Sequence, residues 1–452
     1  MTELKNINLK EGSGVIATLS FRFDYSDVSK KQLDDRLFSV KPKLDLDNIG
    51  YDVAKNSLQE IYYQNYLNSA MPYFSQEHRN SQSSKSRGNV QISIIELIDK
   101  ECALYLSDKL EVEALIKFVD LILYETGIGI FSIKFEPIEQ SLASFVSIQK
   151  ILKNTHPKIR VGGNESELSE FINSLASLPL SSKKPSTKLL FSKVKAINIL
   201  GVEDPLNEHE KELLLYHVGS GSDFSNEGFS SKFTPSEEYL SELKNNNYLS
   251  VFADWKALSL MDSFSIVYDS SVSINWKYDY LWMYNHLVYM KSYVHILSKK
   301  LSIKQLSFKD IKRIRNHYVD FINKNQFTEI SANFLPNLFH SKMITGLQLG
   351  EQLESLDKKI QNIHDLVQDY RSENLNTILT ILSLMGFIPA VFAIARSLNE
   401  ILRLTGRSEE VCAKSEFYAI IILGIIGLAI ISYFTVRAFS KKRFNQILSI
   451  HD

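Results

Sequence analysis

The longest uninterrupted apolar stretches lie near the C-terminal end of the chain. Residues 375–395 and 417–436 contain no charged side chain. A helix of about 20 residues crosses the roughly 30 Å hydrocarbon core of a bilayer. The pattern therefore predicts two transmembrane helices, and two helices buried in a protein core are the alternative. The segment 396–416 would be the extracytoplasmic loop.

The basic residues that flank these stretches bear on their orientation. The loop and the tail 437–452 each contain four basic residues, so this count gives no preference: Arg396, Arg403, Arg407 and Lys414 against Arg437, Lys441, Lys442 and Arg443. The N-terminus has no apolar stretch typical of a signal peptide. We therefore expect the large N-terminal part to stay in the cytoplasm, which places both termini on the cytoplasmic side of the inner membrane.

A heptad pattern precedes the first apolar stretch. Apolar residues alternate at spacings of four and three along the predicted stalk helix, 336–374, at Leu349, Leu353, Leu356, Ile360, Ile363, Val367 and Tyr370. Such a narrow seam favours self-association as a coiled coil. An amphipathic helix packed on its own domain is the alternative. If the helices assemble around an axis, the register continues through pore-lining residues: Asn374, Thr377, Ile381, Leu384, Ile388, Val391 and Ala395. An apolar tube of this kind can gate by dewetting.

The layout resembles the CorA-type magnesium transporters. The motif Asn374, Leu379-Thr380-Ile381 and Phe387-Ile388-Pro389 is similar to the first span of that family. The resemblance implies a funnel-like cyclic homo-oligomer of five subunits in the lipid bilayer, with a divalent cation as the permeant ion. The heptad seam itself does not give the subunit number, so four subunits stay open. The Gly-Met-Asn selectivity signature is missing, since residues 396–400 read Arg-Ser-Leu-Asn-Glu.

The first 270 residues have a mixed pattern. Residues 15–25, 128–135 and 189–200 alternate or cluster as strands do, whereas 111–125 and 138–152 have helical spacing. This order predicts an α/β or α+β domain, followed by a helical section at 271–335. Residues 219–231, rich in Gly and Ser, are predicted to be a linker.

Composition narrows the function. The chain has 452 residues, and 51 Lys and Arg balance 52 Asp and Glu. This balance argues against nucleic acid as a partner. The chain contains no phosphate-binding loop, no HExxH motif and only two cysteines, so we expect neither an enzyme nor a metal site.

Aromatic residues crowd the helical section. Those proposed to stack on a planar, nucleotide-like ligand are Trp276, Tyr280, Trp282 and Tyr284, with Lys312, Arg313 and Arg315 meeting its phosphates. Packing in a core, with the basic residues on a solvated helix face, is the alternative.

Three functions fit these patterns. The first is a membrane pore gated by a small cytosolic ligand, because CorA-like effectors of type III CRISPR defence share this layout and respond to nucleotide signals. The second is a divergent divalent-cation transporter. The third is a membrane-anchored binding protein that conducts nothing.

Overall fold

The computed structural model describes residues 7–23, 58–70, 97–107, 110–124, 126–154, 156–177, 188–190, 194–221, 235–269, 280–302 and 308–404, with Lys414, Tyr418 and Ile422. The chain divides into two units, Met1–Gln361 and Asn362–Asp452.

Strands of the first unit form one mixed sheet. Their bounds are β1 Gly14–Arg22, β2 Lys100–Ser107, β3 Leu110–Tyr124, β4 Ile128–Pro137, β5 Lys158–Val161, β6 Asn164–Glu167, β7 Lys188–Leu189, β8 Lys195–Gly201, β9 Tyr248–Leu249, β10 Trp255–Leu260 and β11 Ser263–Tyr268. The order across the sheet is β6-β5-β2-β3-β4-β1-β8-β11-β10-β9, and the short β7 also pairs with β1. Strands β8 and β11 are parallel, whereas the other pairs in the described residues are antiparallel.

The helices are α1 Gln64–Ala70, α2 Leu142–Leu152, α3 Leu168–Ser177, α4 Glu208–Ser220, α5 Glu237–Asn246, α6 Leu281–Leu301, α7 Phe308–Asn325, α8 Phe334–Gly346 and α9 Leu349–Leu404. Helices α2 and α4 cover one face of the sheet, and α6 and α8 cover the other. A hydrophobic core lies on each face of the sheet, and the side chains of β1 point alternately into the two cores. Val15 and Ala17 belong to the first core and Ile16 to the second.

Two of the predicted strands and one predicted helix were confirmed. Residues 15–22 and 128–135 lie in β1 and β4, and 138–152 contains α2. Residues 24 and 25 of the first predicted strand lie outside the described residues. The helix predicted at 111–125 is wrong, because these residues form β3. Its second half pairs with β4 and is buried on both faces, so apolar residues occupy nearly every position and fit helical spacing by coincidence.

The expected membrane architecture is also wrong. Within the described residues, no helix combines the length and the apolarity that crossing a bilayer requires. The predicted fold of an α/β domain with two transmembrane helices in a CorA-like funnel oligomer is therefore corrected. Residues 375–395 belong to α9, which continues through Arg396 and Glu400 and carries Asn376, Thr377 and Thr380 inside the charge-free stretch. Apart from Tyr418 and Ile422, the second stretch, 417–436, lies outside the described residues, as does the tail 437–452.

The segment expected as one stalk helix is divided between α8 and α9. The break lies at Gln348, whose φ of 54° is left-handed. The first four seam residues, Leu349, Leu353, Leu356 and Ile360, are buried in the second core of the first unit. This part of the seam therefore packs as an amphipathic helix on its own domain.

Candidate functional site

A polar cleft of about 450 Å³ lies in the first unit. This volume falls within the range of roughly 300–1,000 Å³ that is typical of small-molecule sites. The polar and charged residues that line it are Lys153, Ser220, Tyr239, Glu242, Asn246, Asn247, Asp262, Thr345, Gln348 and Glu351.

Four helices end at this cleft. Lys153 caps α2, Gly219 and Ser220 close α4, Asn247 caps α5, and Gly346 closes α8. Helix α4 stops because Gly221 takes a left-handed φ of 66°, which only glycine adopts without strain, and donates its N–H to the carbonyl oxygen of Val218. The carbonyl ends of helices carry partial negative charge, so each of these ends favours a cation beside it.

Lysine ammonium groups bind three of these helix ends. Lys153 Nζ donates to the Gly219 carbonyl oxygen at 2.6 Å, and Lys342 Nζ donates to that of Asn246 at 2.7 Å. Lys291 Nζ donates to the Leu347 carbonyl oxygen, just beyond α8, at 2.6 Å. Burial, together with the nearby charge of Lys195, lowers the pKa of Lys291 to about 8.

Three carboxylates also line the cleft. Asp262, in the turn between β10 and β11, forms an ion pair with Lys195, whose ammonium group also donates to the Met261 carbonyl oxygen at 3.0 Å. Glu242 lies on α5 and Glu351 in the first turn of α9, and both are exposed. Neither glutamate side chain forms an ion pair or hydrogen bond with another side chain in the part of the chain that the structure describes.

The joint between α8 and α9 forms one wall of the cleft. A Cβ on Gly346 would lie 2.0 Å from Ser259 Oγ and 2.7 Å from its backbone carbon, so this approach requires glycine. Leu347 and Leu349 on either side of the break are buried in the second core. The start of α9 is therefore held tightly against the sheet beside the cleft.

The residues predicted to bind a nucleotide-like ligand do not form this cleft. Tyr280, Trp282 and Tyr284 are buried, and Tyr280 stacks on Phe339 with ring centroids 4.1 Å apart. Lys312, Arg313 and Arg315 are exposed on α7, where Arg313 pairs with Asp310 at 3.1 Å. Trp276 lies outside the described residues. The structure thus does not bring the described aromatic and basic residues together on one open surface.

The predicted pore-lining residues all lie on α9. Of their side chains, only Ile381 is among those described, and it is 49% exposed. That these seven residues line a pore stays a prediction.

Sequence reasoning missed the cleft. Its carboxylates come from α5, a turn and α9, so no spacing within one segment marks them. Gly219 and Ser220, predicted to begin a linker, are the last residues of α4. In the described residues, no three His, Cys, Asp or Glu side chains are arranged to hold a metal ion.

Comparison with known proteins adds no relative to this description. No protein-family model matches the chain, and no curated protein or solved structure shows significant similarity to it.

Proposed function

We propose that this protein is a ligand-controlled effector. A small ligand binds the cleft of the first unit and changes how the start of α9 is held. The observation that carries this proposal is that the α8–α9 joint is itself a wall of the cleft, through Thr345, Gly346, Gln348 and Glu351.

Charge provides a link from the cleft to the joint. Asp262 lines the cleft and pairs with Lys195, and both charges act on Lys291. Lys291 in turn binds the carbonyl oxygen of Leu347 at the joint. A ligand that engages Asp262 therefore changes the charge balance around the lysine that holds α9. It shifts the position of α9 to the extent that it binds one arrangement more tightly than the other.

The CorA-like resemblance supplies the proposed output. We infer that the output is a homo-oligomeric membrane pore in antiviral defence, with divalent-cation transport as the alternative. Large apolar side chains of α9 support an apolar partner, since Leu375, Ile378, Leu379 and Leu382 are each more than half exposed in the single chain. Ion flux into liposomes tests this output.

The control of α9 by the joint is tested with two glycines close together in sequence. Gly346→Ala places a methyl group against the backbone of Ser259, whereas Gly350→Ala meets open space. We expect Gly346→Ala to raise hydrogen exchange over residues 347–360 and to change ion flux without ligand. Gly350→Ala should do neither. Equal behaviour of the two variants would contradict the proposal.

A further inference from the structure

Basic residues from separate elements meet at one end of the sheet. Arg22 is the last residue of β1, and it lies directly opposite Lys188 of β7 in the strand register. Like charges at directly opposite positions destabilise a strand pair. The side chain of Arg22 is exposed. The register alone therefore places two basic residues together at this end of β1.

The last turn of α6 brings another basic residue to the same end. Thr126, which follows β3, donates a hydrogen bond of 3.3 Å to the hydroxyl oxygen of Tyr289 on α6. Helix α6 therefore passes the end of the sheet where β1 stops, and it continues as far as its last turn, which contains Lys300. Burial lowers the pKa of Lys300, and the positive charges of Arg22 and Arg313 lower it as well.

Contacts between α6 and α7 independently place Arg313 beside Lys300. Three contacts step along the two helices in opposite directions: His286 with Asn325, Tyr289 with Phe321, and Tyr293 with His317. The helices are therefore antiparallel. The same register, continued by two turns, brings Lys300 opposite residues 310–313. Arg313 lies in that segment and pairs with Asp310 at 3.1 Å.

Acidic residues offset little of this positive charge. Within the described residues, Arg22 and Lys300 form no ion pair, and Asp310 is the only carboxylate that pairs with Arg313. Lys359 of α9 adds a further ammonium group beside the last turn of α6, where its Nζ donates to Ser298 Oγ at 3.0 Å. Like charges held together repel one another, and an anion bound between them relieves that repulsion.

We propose that Arg22, Lys300 and Arg313 form a site for the phosphate groups of an anionic ligand. A guanidinium group binds phosphate through two parallel hydrogen bonds, and an ammonium group binds it as a point charge. None of the three residues lines the cleft, so this site does not depend on the proposed function. Free polyphosphates and lipid headgroups both carry such phosphates, and two probes distinguish these sources.

Calorimetric titration of the full chain with tripolyphosphate tests the site. We expect saturable binding that weakens about tenfold or more in the double variant Arg22→Gln and Lys300→Gln, because charge-assisted contacts are lost. The matched control is Lys150→Gln and Lys324→Gln, which removes two exposed lysines from the last turns of α2 and α7. This control should bind as the wild type does.

Unfolding in urea gives a second measurement that also shows whether each variant folds. Tripolyphosphate should raise the unfolding midpoint of the wild type, because a ligand that binds the folded chain stabilises it. The double variant Arg22→Gln and Lys300→Gln should lose this increase. If that variant shows no cooperative unfolding, Arg313→Gln replaces it in both measurements, with Lys324→Gln as its control.

A second titration, with the soluble lipid dihexanoylphosphatidylglycerol, identifies the source of the phosphate. Binding of tripolyphosphate alone supports a free polyphosphate, and binding of the lipid alone supports a headgroup. Three results would overturn the site. These are absence of saturable binding of either probe, equal weakening in the site and control variants, and binding of citrate as tight as that of the phosphate probe.

Discussion

The ammonium group of Lys291 donates a hydrogen bond of 2.6 Å to the backbone carbonyl oxygen of Leu347, across the joint between α8 and α9. Lys291 is 5% exposed. Lys291 lies on α6, so this hydrogen bond connects α6 to Leu347, the residue directly before the break at Gln348.

The first prediction concerns the pH dependence that this lysine creates. Its folded-state pKa is about 8, below the ordinary value of 10.5, because burial disfavours the charged form. Between these values the unfolded chain binds more protons than the folded one, so the contribution of Lys291 to stability rises with pH. We expect the stability of the wild type relative to Lys291→Met to increase from pH 7.5 to pH 9.5.

Urea unfolding of both proteins at the two pH values measures this difference. Comparing with Lys291→Met cancels the tyrosines that titrate in the same range. A stability difference that does not change with pH would show that Lys291 has an ordinary pKa in the folded state.

The second prediction concerns two buried histidines. Burial lowers the pKa of His286 to about 4 and that of His340 to about 3. Each of the two rings packs edge-on against Tyr66, with ring centroids 6.1 Å apart. Both remain neutral in the folded chain while the unfolded chain binds protons below its usual pKa of about 6.5. Stability should therefore fall as pH drops from about 6.5 towards 4.

The variant His340→Leu should reduce this loss of stability in acid, because it removes one of the two groups that take up a proton on unfolding. His209→Leu is the control, since His209 is exposed on α4. Thermal unfolding between pH 4.5 and pH 7 measures the effect. The same acid sensitivity in wild type and His340→Leu would contradict the prediction.

The third prediction concerns the polar contacts beneath α6. Asn285 Oδ1 accepts hydrogen bonds from Ser132 Oγ at 3.1 Å and Thr18 Oγ1 at 3.4 Å, and all three residues are buried. Asn285→Ala removes the shared acceptor, which should cost about 1–3 kcal/mol of unfolding free energy. Asn245→Ala, exposed on α5, should change it by less than about 0.5 kcal/mol. Equal unfolding midpoints in urea for the two variants would contradict this role.

Local pattern predicted part of this fold for a physical reason. Strand β1 alternates between two cores, so its period of two is visible in the sequence. Strand β3 is central and buried on both faces over its second half, which removes the alternation and leaves apolar spacing that also fits a helix. The break between α8 and α9 depends on Gln348 adopting a left-handed backbone, which a glutamine in the sequence does not indicate.

The cleft could not be predicted from sequence because its lining residues come from separate helices and a turn, which only the folded chain brings together. Asp262 and Glu351 are far apart in the chain but line the same cleft, beside which α8 packs across β10 and β11. The aromatic residues of α6 were visible, but their number reflects the helix's burial. Tyr289 stacks on Tyr124 of β3 with ring centroids 3.6 Å apart, and Tyr293 stacks on Phe321 of α7 with ring centroids 3.9 Å apart. The aromatic side chains of α6 therefore pack against more than one neighbouring element.

The last prediction concerns α9 and its proposed assembly. The heptad register that places Ile388 on the axis of a pore excludes Leu382, although both lie on α9. If α9 helices surround an axis, Ile388→Asn wets the apolar tube and raises ion flux in liposomes without ligand. Leu382→Asn should leave that flux unchanged. Mass measurement of the purified protein should give four or five subunits for both variants. A monomeric particle, or equal flux for the two variants, would show that this face of α9 does not form a pore.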